Sequence, residues 1–154
     1  MRPRPAVFRW RLGALVAVSV LVSALAACGT APAVPTVTPA TAPDSPQTLQ
    51  AELDRLPPGN AKVGKGRFSA AGCVACHSLE PDVRIVGPSL AGVATRAASR
   101  KPGYSAELYL YESVTRPGVY VVAGFPNGLM PPDFRTRLRP QDLADVIAFL
   151  MTEK

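Results

Sequence analysis

The feature that most constrains this chain is the run Cys73-Val74-Ala75-Cys76-His77. C-x-x-C-H is the attachment pattern of a c-type haem. Two thiols about one helical turn apart reach the two vinyl groups of one porphyrin as thioethers, and the adjacent imidazole then falls beneath the iron. A chain linked in this way has to fold around a large planar group. Competing readings are a thioredoxin-like dithiol and a structural disulfide, but the dithiol expects a preceding strand and a βαβ context. Here a short helical segment leads into Cys73 instead. A zinc site is also poor, because two Cys and one His lack a fourth soft ligand nearby.

The N-terminus reads as an export signal. Arg2, Arg4, Arg9 and Arg11 form a charged start, and Leu12 to Ala27 is an apolar stretch of 16 residues without a charge. That is short for a spanning helix, which needs about 20 residues, and suits the apolar region of a secretory signal. It ends Leu25-Ala26-Ala27-Cys28-Gly29, similar to the lipobox of bacterial lipoproteins, in which the Cys becomes the lipidated first residue. An ordinary signal cleaved after Ala24-Leu25-Ala26 and an uncleaved anchor are the alternatives. Two or three acyl chains on Cys28 would hold the protein on a membrane, since one chain alone is marginal. Export also implies a compartment where disulfides persist, so an odd cysteine needs an explanation. Lipidation of Cys28 leaves Cys73 and Cys76 as a pair. The expected location is the outer, periplasmic face of the cytoplasmic membrane.

Charge excludes one class of partner. The 154 residues carry 17 Lys+Arg against 11 Asp+Glu, a formal +6. Four of those bases sit in residues 1–27, and without them the balance is 13 against 11. No basic stripe remains for a phosphate backbone, so no nucleic-acid partner is expected.

Three segments follow: a lipoprotein signal over 1–27, a lipidated Cys and tether over 28–59, and a folded domain over 60–154. Gly29 to Thr48 contains five Pro, five Thr and a single charge. Prolines at that density block helix and strand alike, which leaves an extended spacer reaching ~60 Å at about 3.1 Å per residue. Gln47 to Leu56 has the spacing of one or two amphipathic turns and ends at Pro57-Pro58-Gly59. Within the domain, a helical segment runs from Ala61 to Gly72, and Ser105 caps a helix that continues through Val114. A third starts at Pro140 with Leu143, Val146, Ile147 and Leu150 on one face. No run alternates with period two. The domain is all-α, three to five helices with long Gly- and Pro-rich loops, and marginal in core size on its own.

Elimination narrows the second axial ligand of a haem. His77 is the sole histidine, so bis-histidine ligation within the chain is excluded. Met1 leaves with the signal, and Met151 belongs to the last turn of the C-terminal helix, where methionine usually packs. Met130 stands in Gly-Phe-Pro-Asn-Gly-Leu-Met-Pro-Pro, 53 residues after His77, with prolines on both sides to stiffen the loop. Its alternative role is a loop residue plugging the core.

Taken in order, these features resemble a class I monohaem cytochrome c over about Asn60 to Lys154. Gly64 and Phe68 match the glycine and aromatic of that family's first helix, and Val146 and Phe149 match the last helix it crosses. Gly87-Pro88 follows the haem motif, and the resemblance implies that the Pro88 carbonyl accepts the Nδ1–H of His77, fixing its tautomer. Tyr120 to Phe134 is similar to the methionine loop of cytochrome c domains attached to oxidase subunit II. The chain departs from the family in two places. Arg139 precedes Pro140 where a Ser or Thr cap is common, and the sole tryptophan, Trp10, lies in the signal, removing a family-style propionate partner. Tyr104, Tyr120, Arg96 and Arg116 are the substitutes on offer. Arg135, Arg137 and Arg139 form either a solvated run or, more sharply, a docking patch for an acidic partner.

The implied cofactor is one covalent haem c, with Cys73 and Cys76 as thioethers and His77 and Met130 as axial ligands. The implied function is one-electron transfer in a membrane-associated respiratory or photosynthetic chain, not enzymatic bond-making. The protein would be a tethered carrier or a fixed haem subunit, like the lipoprotein monohaem subunit of alternative complex III. Its partners would be a quinol-oxidising complex or a terminal oxidase. Gas sensing or peroxidase chemistry is the alternative. A peroxidase wants distal acid–base groups, usually a second histidine, and gas binding would need Met130 to detach.

Overall fold

The computed structural model describes residues 44–154. The export signal, Cys28 and the tether up to residue 43 lie outside the described residues. Six α-helices form: α1 Pro46–Leu53, α2 Ala61–Ala70, α3 Val93–Arg100, α4 Ala106–Thr115, α5 Phe134–Arg137 and α6 Pro140–Leu150, with a 3₁₀ turn at Cys73–Ala75. Among the described residues the only β feature is an isolated bridge between His77 and Arg84. None of the described helices is long and apolar enough to cross a membrane. The fold is the small all-α arrangement expected, with five helices after residue 60 and one ahead of it.

Local signals start most helices. Asn60 accepts from the amides of Lys62 and Val63, and Ser105 from that of Leu108, so both cap through an oxygen as short polar residues do. Pro140 sits in the first turn of α6, where its missing N–H costs nothing. Arg139 makes no cap; its guanidinium instead pairs with Asp142, three residues on, at 2.8 and 2.9 Å.

The frame is the crossing of α2 on α6. A Cβ added at Gly64 would land on the Asp145 carbonyl oxygen and lie 2.8 Å from Phe149 Cβ, so only glycine lets the two backbones approach this closely. One turn along, the rings of Phe68 and Phe149 meet at 5.5 Å and 57°, a tilted pairing that aromatic quadrupoles favour. Phe68, Val146, Phe149 and Leu150 are buried here with residues of α3 and α4. The Asp145 carboxylate, 3 % exposed, accepts from the Asn60 amide and the Gln141 side chain. It thereby joins the start of α2 to α6.

Two elements differ from the sequence expectation. The packed unit begins ahead of Asn60, because Leu49 and Leu53 of α1 are buried in a cluster with Leu108, Tyr111, Phe134 and Ile147. Its proline-rich approach hides this start, although Ser45 caps the helix and Pro46 occupies its first turn. Helix α3 has no side-chain cap and buries only Val93, Ala94 and Ala97, a face too small to stand out as an apolar stripe.

Candidate functional site

The haem-motif segment is shaped by backbone hydrogen bonds. Gly72 takes φ 82°, a left-handed turn that glycine adopts without strain. The amides of Cys76 and His77 then both donate to the Cys73 carbonyl, at 3.1 and 3.0 Å. That single tight turn brings the two cysteines onto one side. The chain returns through residues 78–86 so that the amides of Val86 and Gly87 donate to the Cys76 carbonyl, at 3.3 and 2.8 Å. Gly87 thus lies flush against the imidazole, and an added Cβ would stand 2.5 Å from His77 Cε1 and 2.9 Å from Nδ1.

His77 Nδ1 lies 2.9 Å from the Pro88 carbonyl oxygen. A carbonyl only accepts, so Nδ1 carries the proton and Nε2 keeps its lone pair free as a metal donor. Cys73 and Cys76 are free thiols, not a disulfide. Burial pushes the Cys73 thiol up, helped by Cys76 and opposed by its backbone hydrogen bond and the charge of Arg137, so it stays a neutral thiol at neutral pH.

Cys73, Cys76, His77, Pro88 and Met130 all line one cavity of about 360 Å³. Its remaining walls are mostly apolar, supplied by Phe68, Tyr109, Leu110, Val146 and Leu150 from the core and by residues 120–131 of the loop. Met130 is half-buried and packs against the cluster that contains Leu49, Leu53 and Phe134. Ser113 Oγ is buried beside this cavity with no hydrogen-bond partner. Two free thiols on one turn, an imidazole with its free nitrogen fixed, a thioether and apolar walls make a donor set that fits a covalently held haem.

The other candidates separate. Tyr120 and Arg96 line the cavity, with Tyr120 edge-on to Tyr109 at 5.5 Å. Arg96 donates to the Ala91 and Ser89 carbonyls. Tyr104 instead donates to buried Glu112 at 3.0 Å, beside Lys101, and Arg116 pairs with Asp44 and Glu52. Neither is a wall residue. Each arginine of the 135–139 cluster has a carboxylate partner: Arg135 with Glu52, Arg137 with Asp133 and Arg139 with Asp142. The sequence reading missed Arg100 and Arg137 as cavity-lining cations. Arg137 stood inside the basic run already noted, whereas Arg100 carried no signal before the return of α3 was known.

The cytochrome c family matches residues 61–154, and the chain belongs to that family. It is similar to cytochrome c2 iso-2 of Magnetospirillum fulvum, 36 % identical over an aligned length of 84, with 51 % of this chain and 88 % of the relative covered. The protein is accordingly a haem electron-transfer protein carrying covalent haem c.

Proposed function

We propose that this protein is a membrane-tethered one-electron carrier with His77 and Met130 as axial ligands, anchored through lipidated Cys28 on the periplasmic face of the cytoplasmic membrane. The observation that carries the ligand set is the His77–Pro88 hydrogen bond, which leaves Nε2 free in the same cavity as the two thiols and Met130. Bound haem supplies a one-electron Fe(III)/Fe(II) couple, whose potential a His/Met pair raises.

The chain's residues do the rest by holding still. Cys73 and Cys76 tie the group covalently. Pro88 and Gly87 fix the tautomer and plane of the imidazole, so His77 would hold the iron without having to reorient. The mostly apolar wall would limit water around the ring and disfavour the extra charge of the oxidised form. With His77 and Met130 both holding the iron, no site would be left for a substrate, which suits electron transfer. The near-neutral charge after residue 27 gives little long-range steering, so partner search relies on confinement by the lipid and on the reach of the tether. A quinol-oxidising complex or a terminal oxidase fits as partner.

The test is a haem-stained native gel of gently solubilised membranes, run beside a Met130→Ala variant whose oxidised spectrum is recorded. The expected outcome is covalent haem at the mass of a lone small protein, and loss of the far-red thioether-to-iron absorption band in the variant. Co-migration with a large complex makes the protein a fixed subunit instead. A band that survives in the variant rules out Met130 as ligand.

A further inference from the structure

The loop bearing Met130 has almost no regular structure of its own. Between residues 120 and 133 its one internal backbone hydrogen bond of note runs from the Phe125 amide to the Val122 carbonyl. Where the sulfur sits therefore depends on what holds the two ends of the loop. At the entering end Arg84 donates to the Gly124 carbonyl at 2.8 Å and stacks over the Phe125 ring at 4.0 Å. At the leaving end Pro131 and Pro132 connect Met130 to α5 with φ fixed by their rings. An anchor on α5 is therefore passed back to Met130 with little slack.

That anchor comes from outside the family-matched span. Glu52 of α1 accepts from Arg135 of α5 at 2.9 Å, while also accepting from Tyr111 Oη and, on both carboxylate oxygens, from Arg116. Leu49 and Leu53, on the same helix, share a buried cluster with Phe134, against which Met130 packs. We infer that α1 is a strap for the sixth ligand, with Glu52 a positioning residue that holds the Met130 loop against the haem through Arg135. This rests on the reading of Met130 as axial ligand given above.

The experiment uses the full-length holoprotein and measures the affinity of oxidised haem for added imidazole, which competes with Met130 for the iron. Arg135→Gln removes the tie to α5 and leaves Glu52 paired with Arg116 and Tyr111. Imidazole should bind about two- to five-fold more tightly in Arg135→Gln, the range a partly exposed ion pair supports. It should bind at least as tightly in Glu52→Gln, and the double variant should add nothing further, because both changes cut one tie. Arg135→Lys, which keeps the cation, should restore the wild-type value. The far-red band should weaken in step while the far-ultraviolet helix signal stays constant, which a general loss of stability would not produce. Unchanged imidazole affinity in Arg135→Gln overturns the strap, and Arg135→Gln alone decides the matter if Glu52→Gln does not fold. Met130→Ala separates the two readings. If it removes the band while Arg135→Gln is silent, only the strap fails; if it leaves the wild-type band intact, ligand and strap fail together.

Discussion

Gly87 shows how little freedom the proximal side has. Its amide is held by the Cys76 carbonyl, its neighbour Pro88 holds His77 Nδ1, and its own missing side chain is the space the imidazole occupies. Gly87→Ala must push either the ring or the loop by several tenths of an ångström, so the His77–Pro88 hydrogen bond should lengthen or break. The expected result is a higher reduction potential, because an imidazole that loses its carbonyl acceptor is a weaker donor to Fe(III), spread over more than one species and seen as a broadened titration, with haem still attached through both thioethers. A titration identical to wild type would show that the loop yields without cost. Gly64 carries the matching constraint in the frame. Gly64→Ala forces a methyl onto the Asp145 carbonyl, and overpacking of this kind costs about 1–3 kcal/mol. Thermal unfolding of the holoprotein should shift down accordingly, with the visible spectrum unchanged at room temperature. The cysteines and His77 stand out as one short motif, Met130 is reached by elimination among the methionines, and both glycines are marked only through the family resemblance. Glu52 carries no such mark. Its three cationic and hydroxyl partners lie 59, 64 and 83 residues away, and no local pattern marks a carboxylate whose role is set by the return of distant segments.

Among elements the same rule holds. Helices α4 and α6 announced themselves by a serine cap and a leading proline over wide apolar faces. Helix α3 buries mainly alanines and shows no apolar stripe, whereas the spacing of Leu49 and Leu53 in α1 is visible but its proline-rich approach assigns it to the tether, so its place in the core is a product of the fold. The docking of α1 also has a definite pH dependence. Burial raises the Glu52 pKa, but the hydrogen bonds from Arg116 and Tyr111 and the charges of Arg116 and Arg135 outweigh it and hold the carboxyl below its ordinary 4.5. The groups facing Glu52 are Tyr111 of α4, Arg116, which Asp44 also engages, and Arg135 of α5. The arginines keep their charge throughout, and Tyr111, raised by burial and by Glu52, stays neutral. A carboxyl whose folded pKa is depressed stabilises the folded form above its unfolded value, and that contribution disappears as pH falls through the folded value. Hydrogen-exchange protection of the α1 amides should therefore be constant from neutrality to about pH 4.5 and decline below it, ahead of α2 and α6. In Glu52→Gln the α1 protection should be low at both ends of this range, with the step gone. A step that persists in the variant would assign it to another group.

At the scale of the whole molecule the question is whether these helices hold together without haem. Phe68, Leu110, Val146 and Leu150 are at once core residues of the α2–α6 frame and walls of the cavity. The cavity therefore lies within the core, not on its edge. Emptying about 360 Å³ at about 24 cal/mol per Å³ would cost about 9 kcal/mol. This is an upper bound, because the cavity opens to water on one side. Native domains of this size are stable by only about 5–15 kcal/mol, so the loss takes most or all of what the remaining contacts provide. The electrostatic ties do not offset it. Several are exposed pairs worth about 0–1 kcal/mol each, and the buried Glu112, with Lys101 and Tyr104, spends its Coulomb gain on desolvation. The chain with Cys73→Ser and Cys76→Ser, unable to retain haem covalently, should show most of the helical far-ultraviolet signal lost and no cooperative thermal transition. The crossing of α2 on α6 is the one contact with enough burial to survive locally, so residual protection in hydrogen exchange should be confined to those two helices. A sharp transition in the serine variant would mean that the helices close the cavity by themselves and that the haem is a guest in a finished fold. A featureless melt would mean that haem attachment completes the core, which ties the folding of this protein to arrival in a compartment where thioether formation takes place.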